Sequence, residues 1–232
     1  LTLDPSNRDI HTSSGFPAWA PLVRGSDQFL ILPLFGLEIN PFLFLLDDLE
    51  TRHSKDWFRI ANNRETRWLS ELDMVFTGPH WQTVTKNLNL KSGGKVFTDI
   101  DFTAYDESSN EIALFQLKWQ RPIGMDNRAR RSMGKNLVDG GNKWICRVLD
   151  WLELHGIDEL SQRAGLRTRA SPRVVFFLIG RYSISFSGFP TDTTKYTSAS
   201  WNHLVKARLE APHLSPSKLA ERLRTEVETI SK

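Results

Sequence analysis

Residues 97–119 read FTDIDFTAYDESSNEIALFQLKW, and the way they pair decides the fold. From Val96 to Tyr105, apolar Val96, Ile100, Phe102 and Ala104 alternate with polar Asp99, Asp101 and Thr103, the two-residue period of a strand. Asp106 to Asn110 is polar and turn-like, and Ile112 to Trp119 is a second apolar run, so the stretch predicts a β-hairpin. With the loop centred on Ser108 and Ser109, opposed residues are those whose numbers sum to 217. Asp101 then faces Gln116 and Asp99 faces Lys118, so these four share one side of the sheet, while Ile100, Phe102, Phe115, Leu117 and Trp119 take the other. Ile112 and Leu114 also fall on the polar side, which predicts that this side is partly covered and that the polar group lines a cleft.

An ammonium on a half-buried strand is costly unless carboxylates neutralise it. Two carboxylates beside an amide oxygen offer the hard oxygen ligands that Mg2+ takes. A metal so held polarises a phosphate and generates hydroxide, and a neighbouring lysine orients the attacking water or stabilises phosphoryl charge. The competing reading is structural: an Asp99–Lys118 cross-strand ion pair on a half-exposed sheet, with Gln116 turned to solvent.

Working outward, ETRWLSELDMVF places Glu65, Trp68, Leu69, Leu72 and Phe76 on one helix face, with Gly78-Pro79 as the stop. WQTVTKNLNL reads as a strand that ends in a turn at Ser92-Gly93-Gly94. After Pro122 and Gly124, the spacing predicts a helix from about Asn127 to His155 that breaks at Gly140-Gly141. RVVFFLIG, 173–180, is a strand covered on both faces. The tail predicts amphipathic helices over Ser198–Leu209 and Ser215–Ile230, with Ser215 as N-cap and Pro216 in first position. The core order is thus helix, strand, strand, strand, helix, strand.

TDID from Thr98, followed after a short loop by QLK at 116–118, resembles the motif of the PD-(D/E)XK nuclease superfamily: an Asp on one strand and a Glu/Asp-x-Lys on the next. The resemblance covers roughly residues 57–180 and implies a restriction-endonuclease-like αβββαβ core, a mixed α/β fold with a central mixed sheet flanked by helices. It implies Asp101 as the motif Asp, Lys118 as the motif Lys, and Gln116 in the second metal-ligand position, as in QxK members that resemble modification-dependent restriction enzymes. The Leu117 carbonyl and a first-helix Glu, Glu65 with Glu71 as second choice, complete the implied site for Mg2+ or Mn2+. Gln at 116 departs from the acidic pattern, because an amide brings an acceptor oxygen without charge. The implied activity is metal-dependent phosphodiester hydrolysis, in DNA first, within bacterial restriction or defence; the alternative is a catalytically inactive nucleic-acid-binding or assembly module.

Between Lys118 and Arg147 stand eight basic residues against Asp126 and Asp139, although the whole chain carries only +3. Under the resemblance, Arg121, Arg128, Arg130, Arg131, Lys135 and Asn136 would form a phosphate-binding surface of salt-sensitive affinity. Read alone, the same run is a solvated helix face. Trp119 and Trp144 are expected to pack in the core.

Other chemistries fail on spacing. Gly134-Lys135-Asn136 lacks the first glycine and the Ser/Thr of a phosphate loop. The six histidines are dispersed, and no G-x-S-x-G occurs. Cys146, the only cysteine, excludes an intrachain disulfide and a cysteine zinc cluster; it is expected as a packed thiol in a reducing cytoplasm. Five prolines in the first 41 residues predict loops and short extended pieces there. FLILPLFGLEINPFLFLLDDLE from Phe29 is too interrupted to span a membrane and is expected as buried strands or turns. The expected organisation is an N-terminal extension over 1–54, a core over 55–182 and C-terminal loop and helices over 183–232. Partners expected are DNA, further domains of a longer chain and a second copy of this chain, with no membrane.

Overall fold

The computed structural model describes residues 2–9, 20–34, 41–119, 127–181 and 195–230. By its contacts the chain divides into two units, Leu1–Glu65 and Thr66–Lys232. In the first, strands β1 (Thr2–Leu3), β2 (Leu22–Arg24) and β3 (Leu30–Ile31) form a small sheet in that order. Helix α1 (Pro41–Arg52) follows where loops and extended pieces were expected. Pro41 is its first residue, where a missing N–H costs no helical hydrogen bond, so this proline starts a helix. Phe29 to Leu32 and Leu34 are exposed, against the expectation of burial.

Helix α2 (Ser54–Val75) leads into the second unit, whose centre is a mixed five-stranded sheet. Its strands are β4 (Trp81–Val84), β7 (Phe102–Asp106), β8 (Glu111–Lys118), β9 (Arg173–Gly180) and β10 (Thr197–Ser200), in the order β10-β9-β8-β7-β4. β8, β9 and β10 run parallel, while β7 is antiparallel to both β8 and β4. Strands β5 (Leu88–Ser92) and β6 (Lys95–Ile100) form a separate hairpin. Gly93 and Gly94, at φ 58° and 78°, make the tight turn between them that glycine permits.

One sheet face packs against Trp68 and Leu72 of α2 and Phe76 just past its end, with Leu204 and Ala207 of α4 (Trp201–Glu210) and Leu219 and Leu223 of α5 (Pro216–Ile230). Phe115 and Phe177 stack at the centre of that face, 4.8 Å between rings. The other face holds Tyr105, Ile112, Leu114, Phe176 and Leu178, covered by Leu137, Trp144, Ile145, Val148 and Trp151 of α3 (Asn127–Ala164) and by Leu90 and Ile100 of the hairpin. Thus β9 is covered on both sides, as its apolar run predicts. Arg208 is buried beneath the first face; its guanidinium lies over Phe76 and Trp81 and donates to the Val75 and Leu214 carbonyls, capping the end of α2. No helix among the described residues is long and apolar enough to cross a membrane.

Several expectations need correction. The run 81–90 is two strands in different sheets, and so is the run 96–105, divided at Asp101. Residues 198–200 are strand, and α4 starts at Trp201 with the Ser200 hydroxyl accepting from the His203 N–H. Cys146 is exposed: positions 144, 145 and 148 turn inward, and the helical phase puts 146 outside. Helix α3 does not break at Gly140-Gly141; its non-helical residue is Gly156, at φ 79°. Gly141 is there because the helix approaches the sheet closely, a Cβ at that position falling 2.6 Å from Leu178 Cδ2, whereas Gly140 faces open space. Gly140→Ala should therefore gain about 0.5–1 kcal/mol from helix propensity. Gly141→Ala should offset the same gain by overpacking and prove at least about 1 kcal/mol less stable than Gly140→Ala in thermal or denaturant melts.

Candidate active site at the end of strand β8

The hairpin β7–β8 has the pairing expected: Phe102 opposes Phe115, Thr103 opposes Leu114, and the register holds to Asp106 and Glu111. Buried Asp106 fixes the turn by accepting from Ser108 N–H, Ser108 Oγ and Ser109 Oγ at 2.6–2.9 Å. Burial pushes this carboxyl up, but those hydrogen bonds outweigh it and hold the group below its usual range.

At the other end the ladder is disrupted. The Asp101 N–H reaches the carbonyl of Phe115, the residue that already opposes Phe102, so two residues of one strand face one of the other, as in a β-bulge. Beyond it, β6 leaves the sheet and pairs with β5, where Asp99 opposes Asn89 and not Lys118. The expected Asp99–Lys118 opposition therefore does not form. For the same reason Ile100 joins the α3 side of the core and does not share a side with Phe102 and Phe115.

Asp101 and Gln116 do meet. Gln116 Nε2 donates to Asp101 Oδ2 at 2.5 Å, and the Leu117 N–H donates to the same oxygen at 2.6 Å. Within an extended strand the N–H and C=O of one residue point to the same edge, so the Leu117 carbonyl is directed to the Asp101 side as well. Asn87, in the link from β4 to β5, donates from Nδ2 to Asp99 Oδ2 at 3.2 Å and to Asp101 Oδ1 at 3.3 Å, tying the two carboxylates together. Trp144 of α3 donates from Nε1 to the Asp99 carbonyl at 2.7 Å, and Trp151 likewise to Lys91 at 3.0 Å, so two indoles hold the β5–β6 hairpin over the sheet.

Desolvation pushes the Asp101 carboxyl up to about 6, and the nearby Asp99 charge adds to it; the Leu117 N–H, the Gln116 amide and Lys118 pull the other way. Lys118 is half-buried at the strand end and forms no salt bridge among the described residues. The Arg181 N–H holds its carbonyl at 3.0 Å. On the opposite sheet face, the Arg181 guanidinium sits 5.3–5.5 Å from the rings of Trp68, Trp119 and Trp201 and 2.5 Å from Glu71.

The oxygens available to a cation are therefore the Asp99 and Asp101 carboxylates, the Leu117 carbonyl and, with its amide turned over, Gln116 Oε1. No group of three or more His, Cys, Asp or Glu suited to a metal occurs among the described residues. Glu65, the last residue of the N-terminal unit, is exposed and forms no hydrogen bond or ion pair among the described residues. Glu71 is engaged by Arg67 and Arg181. Of the basic stretch, Arg121 lies outside the described residues; Arg128, Arg130 and Arg131 fall in the first turns of α3, their side chains outside the description. Lys135 and Asn136 are exposed on α3. Trp144 is buried and Trp119 packs on the core, as expected. Sequence reasoning missed Asn87; its only signal is a polar residue between two short strands. No family model matches this chain, and neither curated proteins nor solved structures yield a match.

Because the folded Asp101 titrates near 6 against an ordinary 3.8, its ionisation opposes folding. The stability it contributes is complete below about pH 3.8 and is lost as the pH rises through about 6. Asp101→Asn keeps an acceptor oxygen for Leu117 and Gln116 while abolishing the titration. In chelator, the variant's advantage over wild type should grow between pH 4 and 6 and level off at no more than about 3 kcal/mol. Parallel stability curves across that range would refute the assignment.

Proposed function

We propose that this chain is a Mg2+- or Mn2+-dependent nuclease that hydrolyses phosphodiester bonds, in DNA first, with the PD-(D/E)XK core in its QxK form and a role in bacterial restriction or defence. The observation that carries this reading is the convergence of Asp101 on Gln116 and Leu117 beside Lys118, at the end of a buried strand. The succession α2, β4, β7, β8, α3, β9, with β5–β6 as an insertion, supports the αβββαβ core.

Asp101 and Asp99 would hold the cation, with the Leu117 carbonyl and Gln116 Oε1 as neutral donors; Mg2+ is commonly bound by one or two carboxylates together with substrate phosphate. Bound there, the ion would polarise the scissile phosphate and lower the pKa of water. Asp101, desolvated and short of positive charge, gains most from a counter-ion, which would draw its pKa back down from about 6. Gln116 turns its amide so that oxygen replaces nitrogen toward the cation. Lys118 extends from the next strand position, orients the attacking water and stabilises charge on the phosphoryl oxygens. Lys135 and Asn136, with the arginines at the start of α3, supply backbone affinity.

A second reading, the inactive nucleic-acid-binding or assembly module, is favoured by one observation: Asp101 Oδ2 already accepts from both Gln116 and Leu117. Incubation with single- and double-stranded DNA and RNA, in Mg2+, Mn2+ or chelator, separates the two. The nuclease reading expects divalent-dependent cleavage of DNA that falls at least about a hundredfold in Lys118→Ala and in Asp101→Ala. Cleavage by a clean preparation that survives both substitutions sinks it. Salt-dependent DNA binding without cleavage in any metal assigns the second reading.

A further inference from the structure

One residue outside the Asp and Gln-x-Lys motif reaches both aspartates. In the β5–β6 hairpin Asn89 opposes Asp99 and Leu88 opposes Ile100. Carried one position past that pair, the register brings Asn87 opposite Asp101. Alternate residues of a strand point the same way, so Asn87, Asp101 and Asp99 share one side of the hairpin, Asp101 straight across from Asn87 and Asp99 on the diagonal. The contacts follow: Asn87 Nδ2 donates to Asp101 Oδ1 at 3.3 Å and to Asp99 Oδ2 at 3.2 Å.

The choice of oxygens is informative. Asp101 Oδ2 already accepts from Gln116 Nε2 and from the Leu117 N–H, so Oδ1 is the oxygen with which Asp101 can meet a cation. The Asn87 amide stands on that oxygen and bridges it to Asp99. An amide carries its acceptor oxygen and its NH2 group on one carbon, and a half-turn about the last side-chain torsion, which is broad and two-fold in asparagine, exchanges them. After that turn Oδ1 takes the place of Nδ2 beside the two carboxylate oxygens. Ligand oxygens about 2.1 Å from an octahedral Mg2+ stand about 3 Å from their neighbours, which is close to the spacing that Asn87 keeps from each aspartate. With NH2 inward the amide offsets the repulsion between the carboxylates; with oxygen inward it is a neutral donor to the ion that replaces that NH2.

We propose that Asn87 is a ligand of the divalent cation, supplying Oδ1 beside Asp99 and Asp101. The inference rests on the cation-binding part of the nuclease reading and adds to it a residue that the motif does not contain.

Mn2+ binding to the whole chain, followed by the electron paramagnetic resonance signal of the free ion, tests it without any cleavage. Asn87 is exposed and precedes β5, so its substitution reads binding without loss of fold. Asn87→Ala is expected to bind Mn2+ at least about tenfold more weakly than wild type, and Asn87→Asp, which keeps an oxygen there, at least as tightly. Luminescence lifetimes of bound Tb3+ in H2O and D2O count the waters on the ion, and Asn87→Ala should carry one more than wild type. Binding that Asn87→Ala leaves unchanged or tightens, or an unchanged water count, overturns the ligand role of Asn87 and leaves the nuclease reading standing. Wild-type binding no stronger than that of Asp101→Ala overturns both.

Discussion

Strand β8 is buried over six of its eight residues, and this constraint organises the second unit. A strand with helices on both sides has nowhere to leave a polar side chain except at its end. Its neighbour must also release it there if anything is to reach those groups. The bulge at Asp101 does both: it ends the β7–β8 ladder and sends β6 away toward β5, so that Gln116, Leu117 and Lys118 emerge beside a carboxylate and not beneath another strand. The two indole hydrogen bonds from α3 then keep the departed hairpin close enough for Asp99 to influence Asp101.

The two carboxylates that bracket β7 show why one reads as architecture and the other as a site. Asp106 and Asp101 are both largely withdrawn from water, and both accept short hydrogen bonds. Asp106 receives three local donors and stays easily ionised. Asp101 also accepts donors, yet its desolvation and the Asp99 charge prevail and push it up to about 6. A carboxylate that its own protein leaves under-compensated is poised for a cation or a proton, and such imbalance concentrates where chemistry is done.

Much of this was legible in the chain. Alternation and a five-residue polar loop were enough to set the β7–β8 register and bring Asp101 to Gln116, because a one-residue slip would have turned apolar residues outward. The division at Asp101 was not legible, since alternation runs unbroken from Asp99 to Phe102 and a period carries no record of which strand is the partner. Asn87 was invisible for a related reason: its role exists only through the tertiary approach of the β4–β5 link to two aspartates. β10, whose residues 198–200 read in the sequence as helix, is Thr-Ser-Ala-Ser, four small residues whose strand character comes from pairing with β9, not from propensity. Gly140-Gly141 misled in the opposite direction, because a glycine that admits a close neighbour looks the same in sequence as one that ends a helix.

Gln116 can now be understood electrostatically. A carboxylate in its place would lie within hydrogen-bond distance of Asp101 with Asp99 close by, and like charges so placed cannot all ionise without a counter-ion. The amide removes that conflict: it donates to Asp101, lowers the cost of its charge and lets the strand end stay ordered with no cation present. The same exchange lowers the negative charge available to attract one. Under the nuclease reading, an amide at this position would trade cation affinity for stability of the strand end, and divalent chemistry here would depend on Asp101 and Asp99 for charge, with position 116 contributing only a dipole.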